Sequence, residues 1–215
     1  MALRLKTAPA TEPVSLVEAK LFLRVDHSEE DDLITTLITA AREMIENDIL
    51  RALITQTWTL TLDFFPNGRS NDWWDGVRQA SIQSLDEGGR IIALPRPPLI
   101  SVTHLKTYGE DNSATTYSAD NYIVDITSQP GRIALENGQV WPANLRVARA
   151  VEIEFIAGYG AASDVPKALK TALMMIIAKM YECRGEAVEM PTMAEKLISP
   201  FRVHYLQGPN DRTEK

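Results

Sequence analysis

Two periodicities meet in Val151-Glu152-Ile153-Glu154-Phe155-Ile156-Ala157-Gly158-Tyr159-Gly160-Ala161-Ala162-Ser163-Asp164-Val165-Pro166. Val151, Ile153 and Phe155 alternate with Glu152 and Glu154, the two-residue repeat of a half-buried strand. Beyond the glycines the repeat lengthens. Asp164 is placed to cap a helix, and Pro166 falls in its first turn, where a missing N–H costs little. The helix runs to about Arg184, and Leu169, Ala172, Leu173, Ile176, Ile177 and Met180 give it an apolar stripe broad enough for near-complete burial. Such a Met-rich stripe reads as core rather than as a cofactor site. Gly158 and Gly160 read as a backbone bend between strand and helix, since glycine tolerates positive φ.

The same segment imitates a dinucleotide-binding G-x-G-x-x-G in its first two glycines. That fingerprint presents free N–H groups and a positive helix end to pyrophosphate. Here Pro166 deletes one N–H and Asp164 puts a negative charge in its place, with no further strand–helix units following. Dinucleotide binding is not expected.

Working back from this junction, Thr55 to Ile156 is β-rich. Trp58, Leu60, Leu62 and Phe64 alternate with Thr57, Thr59, Thr61 and Asp63. Further strands are expected at Ile91 to Leu94, Leu99 to Tyr108, Tyr117 to Ile126 and Arg132 to Leu135. Pro95-Arg96-Pro97-Pro98, Gly109-Glu110-Asp111-Asn112, Pro130-Gly131 and Asn137-Gly138 separate them as turns. The spacing implies a small antiparallel sheet. Pro66 to Arg90 lacks periodicity and reads as a long exposed loop. It carries Trp73 and Trp74, either partner contacts or side chains that pack back onto the sheet.

Ahead of the β zone, Pro13 to about Leu53 is helical. Ser15-Leu16-Val17-Glu18 is a capping box, with Leu16, Ala19 and Leu23 on one face. Ser28 is expected to cap a second helix whose start is favoured by Glu29, Glu30, Asp31 and Asp32. Its apolar stripe is Leu33, Leu37, Ala41, Met44 and Ile45, widened by Ile34 and Ile38. The fold class expected is α+β: a helical bundle core with an inserted small antiparallel β-subdomain and an extended C-terminal tail. Its parts are residues 1–54 (helices), 55–160 (β insertion), 161–190 (core helix) and 191–215 (tail).

The chain has 215 residues, 45% of them hydrophobic and 24% charged, with a formal net charge of −7. Duplex DNA is held mainly by Lys and Arg on phosphates, so tight or sequence-specific binding is not expected, although DNA can slide past an acidic wall. One cysteine, Cys183, excludes an intrachain disulfide and C-x-x-C sites. Met1 to Pro13 has no apolar segment of the secretory kind, and no apolar stretch is long enough to span a bilayer. No membrane partner is expected, and the chain is expected to be made in the host cytoplasm. His27, His104 and His204 accompany no nucleophile elbow and no metal-ligand spacing, and the acidic run is explained by the helix dipole. No catalytic, metal or cofactor residue is expected. An unrecognised hydrolase using the scattered acids is the alternative from the enzyme class.

In order and spacing, four segments resemble the phage head–tail connector (adaptor) family of tailed phages, prophages and gene transfer agents. They are Val14 to Asp26; Asp31-Asp32-Leu33-Ile34 with Ala40 to Glu46; Leu94 to Leu99 together with Phe155 to Gly160 and Val165-Pro166; and Leu197-Ile198-Ser199-Pro200-Phe201-Arg202. The resemblance spans nearly the whole chain except the loop from Pro66 to Arg90. It implies a non-enzymatic virion protein at the head–tail junction whose copies ring a channel under the twelve-fold portal. The genome passes through that lumen, and a stopper or tail protein follows on the far side. Another virion structural or tail-completion protein is the nearer alternative; tail-tube subunits are mainly β and lack two helical zones.

Gly185 and Pro191 interrupt the last helix, so the tail is expected to leave the body of the subunit and dock on the portal. The residues expected to make that contact are Leu197, Ile198, Pro200, Phe201, Arg202, Tyr205 and Leu206, with Arg202 forking onto a portal carboxylate. The alternative is that the tail folds back over its own helices.

Overall fold

A computed structural model describes residues 1–66, 89–183 and 189–203. The chain divides into two units, and each is discontinuous in sequence. One combines Met1–Thr7 with Thr57–Ala157; the other combines Ala8–Gln56 with Gly158–Val203. Strands and helices segregate between them, which makes the fold α+β.

In the β unit, a five-stranded sheet has the order β1-β2-β8-β4-β5. Its strands are β1 (Ala2–Thr7), β2 (Gln56–Leu62), β4 (Leu99–Tyr108), β5 (Ala114–Thr116) and β8 (Val151–Ala157). A three-stranded sheet, order β3-β7-β6, joins Ile91–Ala93, Arg132–Leu135 and Tyr122–Asp125. Every pairing given for these strands is antiparallel. In β8, Val151, Ile153 and Phe155 are fully buried as read, but Glu154 on the other face is buried too, at 8% exposed. In β2 the alternation works only in part. Leu60 and Leu62 are buried, but Phe64 lies past the strand and is 67% exposed. Trp58 is half-buried, with the Arg96 guanidinium 5.3 Å from its ring centroid.

Strand β1 is absent from the sequence reading, which places residues 1–54 with the helices. Its Leu3 pairs with Leu60 and its Leu5 with Trp58. As an edge strand it is almost wholly exposed, and Arg4 and Lys6 stand on the outer face, where Lys6 forms an ion pair with Glu154. Charges of this kind on an edge discourage further strand pairing.

In the helical unit, α1 (Leu16–Leu23), α2 (Asp31–Ile49), α3 (Lys167–Glu182) and α4 (Thr192–Ile198) share one apolar cluster. The capping box is present: Ser15 Oγ accepts from the Glu18 N–H at 3.2 Å, and Glu18 Oε2 accepts from the Ser15 N–H at 2.8 Å. The second of these bonds holds the Glu18 carboxyl below its ordinary value. Stability of that origin is present above the unfolded value of 4.5 and is lost as pH falls through the lower folded value. Ser15→Ala is expected to cost about 1 kcal/mol at neutral pH and to move the Glu18 titration upward, as followed by carboxyl NMR. The cost should shrink in acid as the parent's Glu18 takes up its proton.

The second helix starts differently from its reading. Its N-cap is Glu30, with no side-chain cap, while Ser28 contributes only its carbonyl to the Asp31 N–H at 3.2 Å. Its buried face is Ile34, Ile38, Ala41, Arg42, Ile45, Glu46 and Ile49, and Leu33 is 38% exposed. The expected stripe is therefore turned around the axis. The third helix is capped by Pro166, and Asp164 instead accepts from the Ala161 N–H at 2.9 Å in the preceding 3₁₀ turn, Ala162–Asp164.

The glycine bend is confirmed. Gly158 has φ +132°, and a Cβ there would lie 2.3 Å from the Ile54 carbonyl oxygen. Only glycine permits that approach. The bend is tied down by the Tyr159 N–H on Leu53 O at 3.3 Å and the Thr55 N–H on Gly160 O at 3.1 Å.

Candidate partner-binding site

Through Val203 the tail folds back over its own helices. Thr192–Ile198 forms α4, and Ser199–Phe201 continues it as a 3₁₀ turn. Ala194 and Ile198 are fully buried, Val203 is 8% exposed, and Leu197 and Phe201 pack on the same cluster. The tail is also hydrogen-bonded to the end of α2. The Val203 N–H reaches Ile49 O at 3.0 Å, one of the carbonyls a helix leaves free at its C-terminus, and Arg51 Nε donates to Phe201 O. Arg202 Nη2 bonds both carboxylate oxygens of Asp48, at 2.6 and 2.8 Å. The expectation that this segment leaves the body is thus corrected. The apolar side chains lie within reach of their own helices, so burial needs no partner. Ile198 is core, and Arg202 meets a carboxylate of its own chain. Pro200 is exposed. Tyr205, Leu206, His204, Trp73 and Trp74 lie outside the described residues.

The helical unit also contains a polar knot. Glu46 Oε2 accepts from Arg42 Nη1 at 2.7 Å, and Oε1 accepts from the Leu53 N–H at 2.8 Å and Gln56 Nε2 at 2.5 Å. Arg42 Nε donates to Glu12 at 2.8 Å, and Thr39 Oγ1 donates to the other Glu12 oxygen at 3.0 Å. Burial pushes the Glu46 carboxyl up, against the pull of the Leu53 N–H and the Arg42 guanidinium. Both Glu46 oxygens are matched by donors of the protein, whereas Gln56 Oε1 is buried with no hydrogen-bond partner among the described residues. The knot ties α2 to Glu12 before it and to Leu53 and Gln56 after it.

Of the three histidines, His27 and His104 are described, and each lies beside a carboxylate. His27 Nδ1 is 3.0 Å from Glu29, and His104 Nε2 is 3.4 Å from Glu152. Among the described residues, no three His, Cys, Asp or Glu side chains gather as metal ligands. None of the helices among them is long and apolar enough to cross a membrane.

What the sequence reading missed are two exposed apolar surfaces. On α1, Val17 and Leu21 are 75% and 79% exposed, one turn apart on the side away from Leu16, Ala19 and Leu23. In the β unit an open groove of about 940 Å³ runs between Asp63–Pro66 and Gln139–Val147. Trp141 stacks on Phe65 with centroids 4.5 Å apart, and its Nε1 donates to Gly89 O at 2.8 Å. Phe64, Val140 and Val147 stand at the groove, the valines 77% and 95% exposed. Arg90 and Arg146 line it too. The signal for α1 was available in the i, i+4 pair Val17 and Leu21; the groove joins segments too distant in sequence to be read.

Residues 13–75 match the family described as phage gp6-like head-tail connector protein. The chain also resembles solved structures. One is titled the neck of an empty GTA particle computed with C6 symmetry; it is 24% identical, covers 97% of this chain and 98% of that one, and gives a TM-score of 0.75. The virion of a native gene transfer agent particle matches with the same identity, coverage and TM-score. The neck of a native GTA particle computed with C12 symmetry matches at the same identity and coverage, with a TM-score of 0.70. The comparison with curated proteins gives no match. The resemblance to phage head–tail connectors thus holds: residues 13–75 carry the pattern of the gp6-like family, and nearly the whole chain has the fold of a chain in these gene transfer agent structures.

Proposed function

We propose that this chain is a structural, non-enzymatic head–tail connector subunit whose copies form a ring between portal and tail. The observation that carries the reading is the likeness over 97% of the chain to structures of gene transfer agent particles, two of them necks computed with six- and twelve-fold symmetry. The family match over residues 13–75, which include α1 and α2, supports it from sequence. Cyclic symmetry in those necks fits a subunit that repeats around an axis, with the helical bundle packing side by side and the genome passing through the lumen. A net charge of −7 suits a wall that does not retain DNA. The subunit is monomeric or weakly associated until the portal templates it, and a stopper or tail protein follows.

The test is electron microscopy of the purified protein mixed with portal-bearing heads of the same particle. An added ring of density under the portal is the expected result. Heads left unchanged at saturating protein would overturn the proposal.

A further inference from the structure

We propose that the Val17–Leu21 face of α1 in one copy seats in the Phe64–Trp141–Val147 groove of the next copy. The inference rests on the ring reading above and names the contact that closes it.

A ring is built from heterologous contacts, in which each subunit offers two different surfaces that fit one another. A single self-complementary patch would stop at a two-fold dimer. Among the described residues, α1 and the groove offer two unlike apolar surfaces, one convex and one concave. Val17 and Leu21 stand on a short helix at 75% and 79% exposure, and the groove carries Val140 and Val147 at 77% and 95%. Large side chains left so exposed and grouped mark interaction surfaces.

Shape and charge agree with the pairing. The groove holds about 940 Å³ and is open to solvent, so it can admit the side chains of one helix face. Its wall is aromatic, with Trp141 stacked on Phe65. Such a wall suits aliphatic knobs. Glu18 lies beside Leu21 on the helix, and its bonds to Ser15 keep it ionised. The groove is lined by Arg90 and Arg146, each held by backbone carbonyls of its own chain, and by one carboxylate, Asp63, which accepts from the Arg149 N–H and pairs with the N-terminus. A carboxylate on the ridge and two guanidiniums at the groove set the sense in which the helix enters.

Disulfide trapping tests the contact in the full-length chain carrying Cys183→Ser. Leu21→Cys and Val147→Cys are made separately and together, assembled on portal-bearing heads and mildly oxidised. Mixing the two single variants should give a covalent dimer that neither gives alone. The double variant should give a ladder of multimers that disappears on reduction. Self-dimers of Leu21→Cys, or rings seen by microscopy without any 21–147 bond, would overturn this contact and leave the ring reading standing. A Val147→Cys bond to Trp74→Cys within one chain would assign the groove to the chain's own residues and also overturn it. Absence of rings altogether would remove both.

Discussion

Removing residues from Ala194 onward is expected to destabilise the helical unit by about 4–6 kcal/mol. The deletion takes Ile198 and Val203 out of the core, each worth about 1.5–3 kcal/mol when fully buried. It also strips Leu197 and Phe201 from the cluster and exposes the inner surface of α3. The Val203–Ile49 bond and the Arg202–Asp48 pair go as well. For a protein of this size, the loss corresponds to roughly 10–20 °C in Tm. The measurement is the helical circular dichroism signal on heating, which reports the unit that contains the deletion. A free docking arm would leave that signal unchanged, and such a result would contradict the packing described for α4. Because the deletion also unfolds part of the subunit, failure to join heads would say nothing about a portal contact. Pro200→Glu, at an exposed position, is the cleaner probe of that contact.

Glu46→Ala is expected to cost about 3–5 kcal/mol, the range for breaking a buried ion pair from one side. Three donors lose their acceptor at once: Arg42 Nη1, the Leu53 N–H and Gln56 Nε2. Arg42 keeps Glu12, which limits the loss. Glu46→Gln retains an oxygen acceptor but not the charge, and should fall between parent and alanine. Urea midpoints for the three proteins check the order. Equal midpoints for parent and alanine variant would mean that the knot contributes nothing to stability.

This knot also explains why part of the fold was hard to read. In α2 the buried repeat is Ile34, Ile38, Arg42, Ile45 and Glu46, Ile49, a regular helical face. Treating Arg42 and Glu46 as solvated rotates the apparent face toward Leu33, Leu37 and Met44. Only the pairing with Glu12, Leu53 and Gln56, which local sequence does not reveal, makes their burial affordable. Strand β8, the capping box at Ser15, helix α3 and the glycine bend were legible because each is set by neighbours within a few residues. Strand β1 was not, since its only mark is the Leu3 and Leu5 alternation and its partner lies beyond the first two helices. The candidate contact residues divide the same way. Their apolar character was evident at Leu197 and Ile198, whereas the surface that covers them comes from α3 and the end of α2.

The alternation of the chain between its two units bears on the order in which a finished subunit can arise. The first two helices leave the ribosome long before α3 and α4, yet all four contribute to one cluster. Until α3 has been synthesised, Ile34, Ile38, Ile45 and Ile49 lack the helix that packs against α2. The β unit closes earlier, when β8 arrives to sit between β2 and β4. Sequence separation of this kind slows folding, because the loop must close before its contacts form. A chain that stops before α3 therefore holds an incomplete helical unit while its β unit can already be closed.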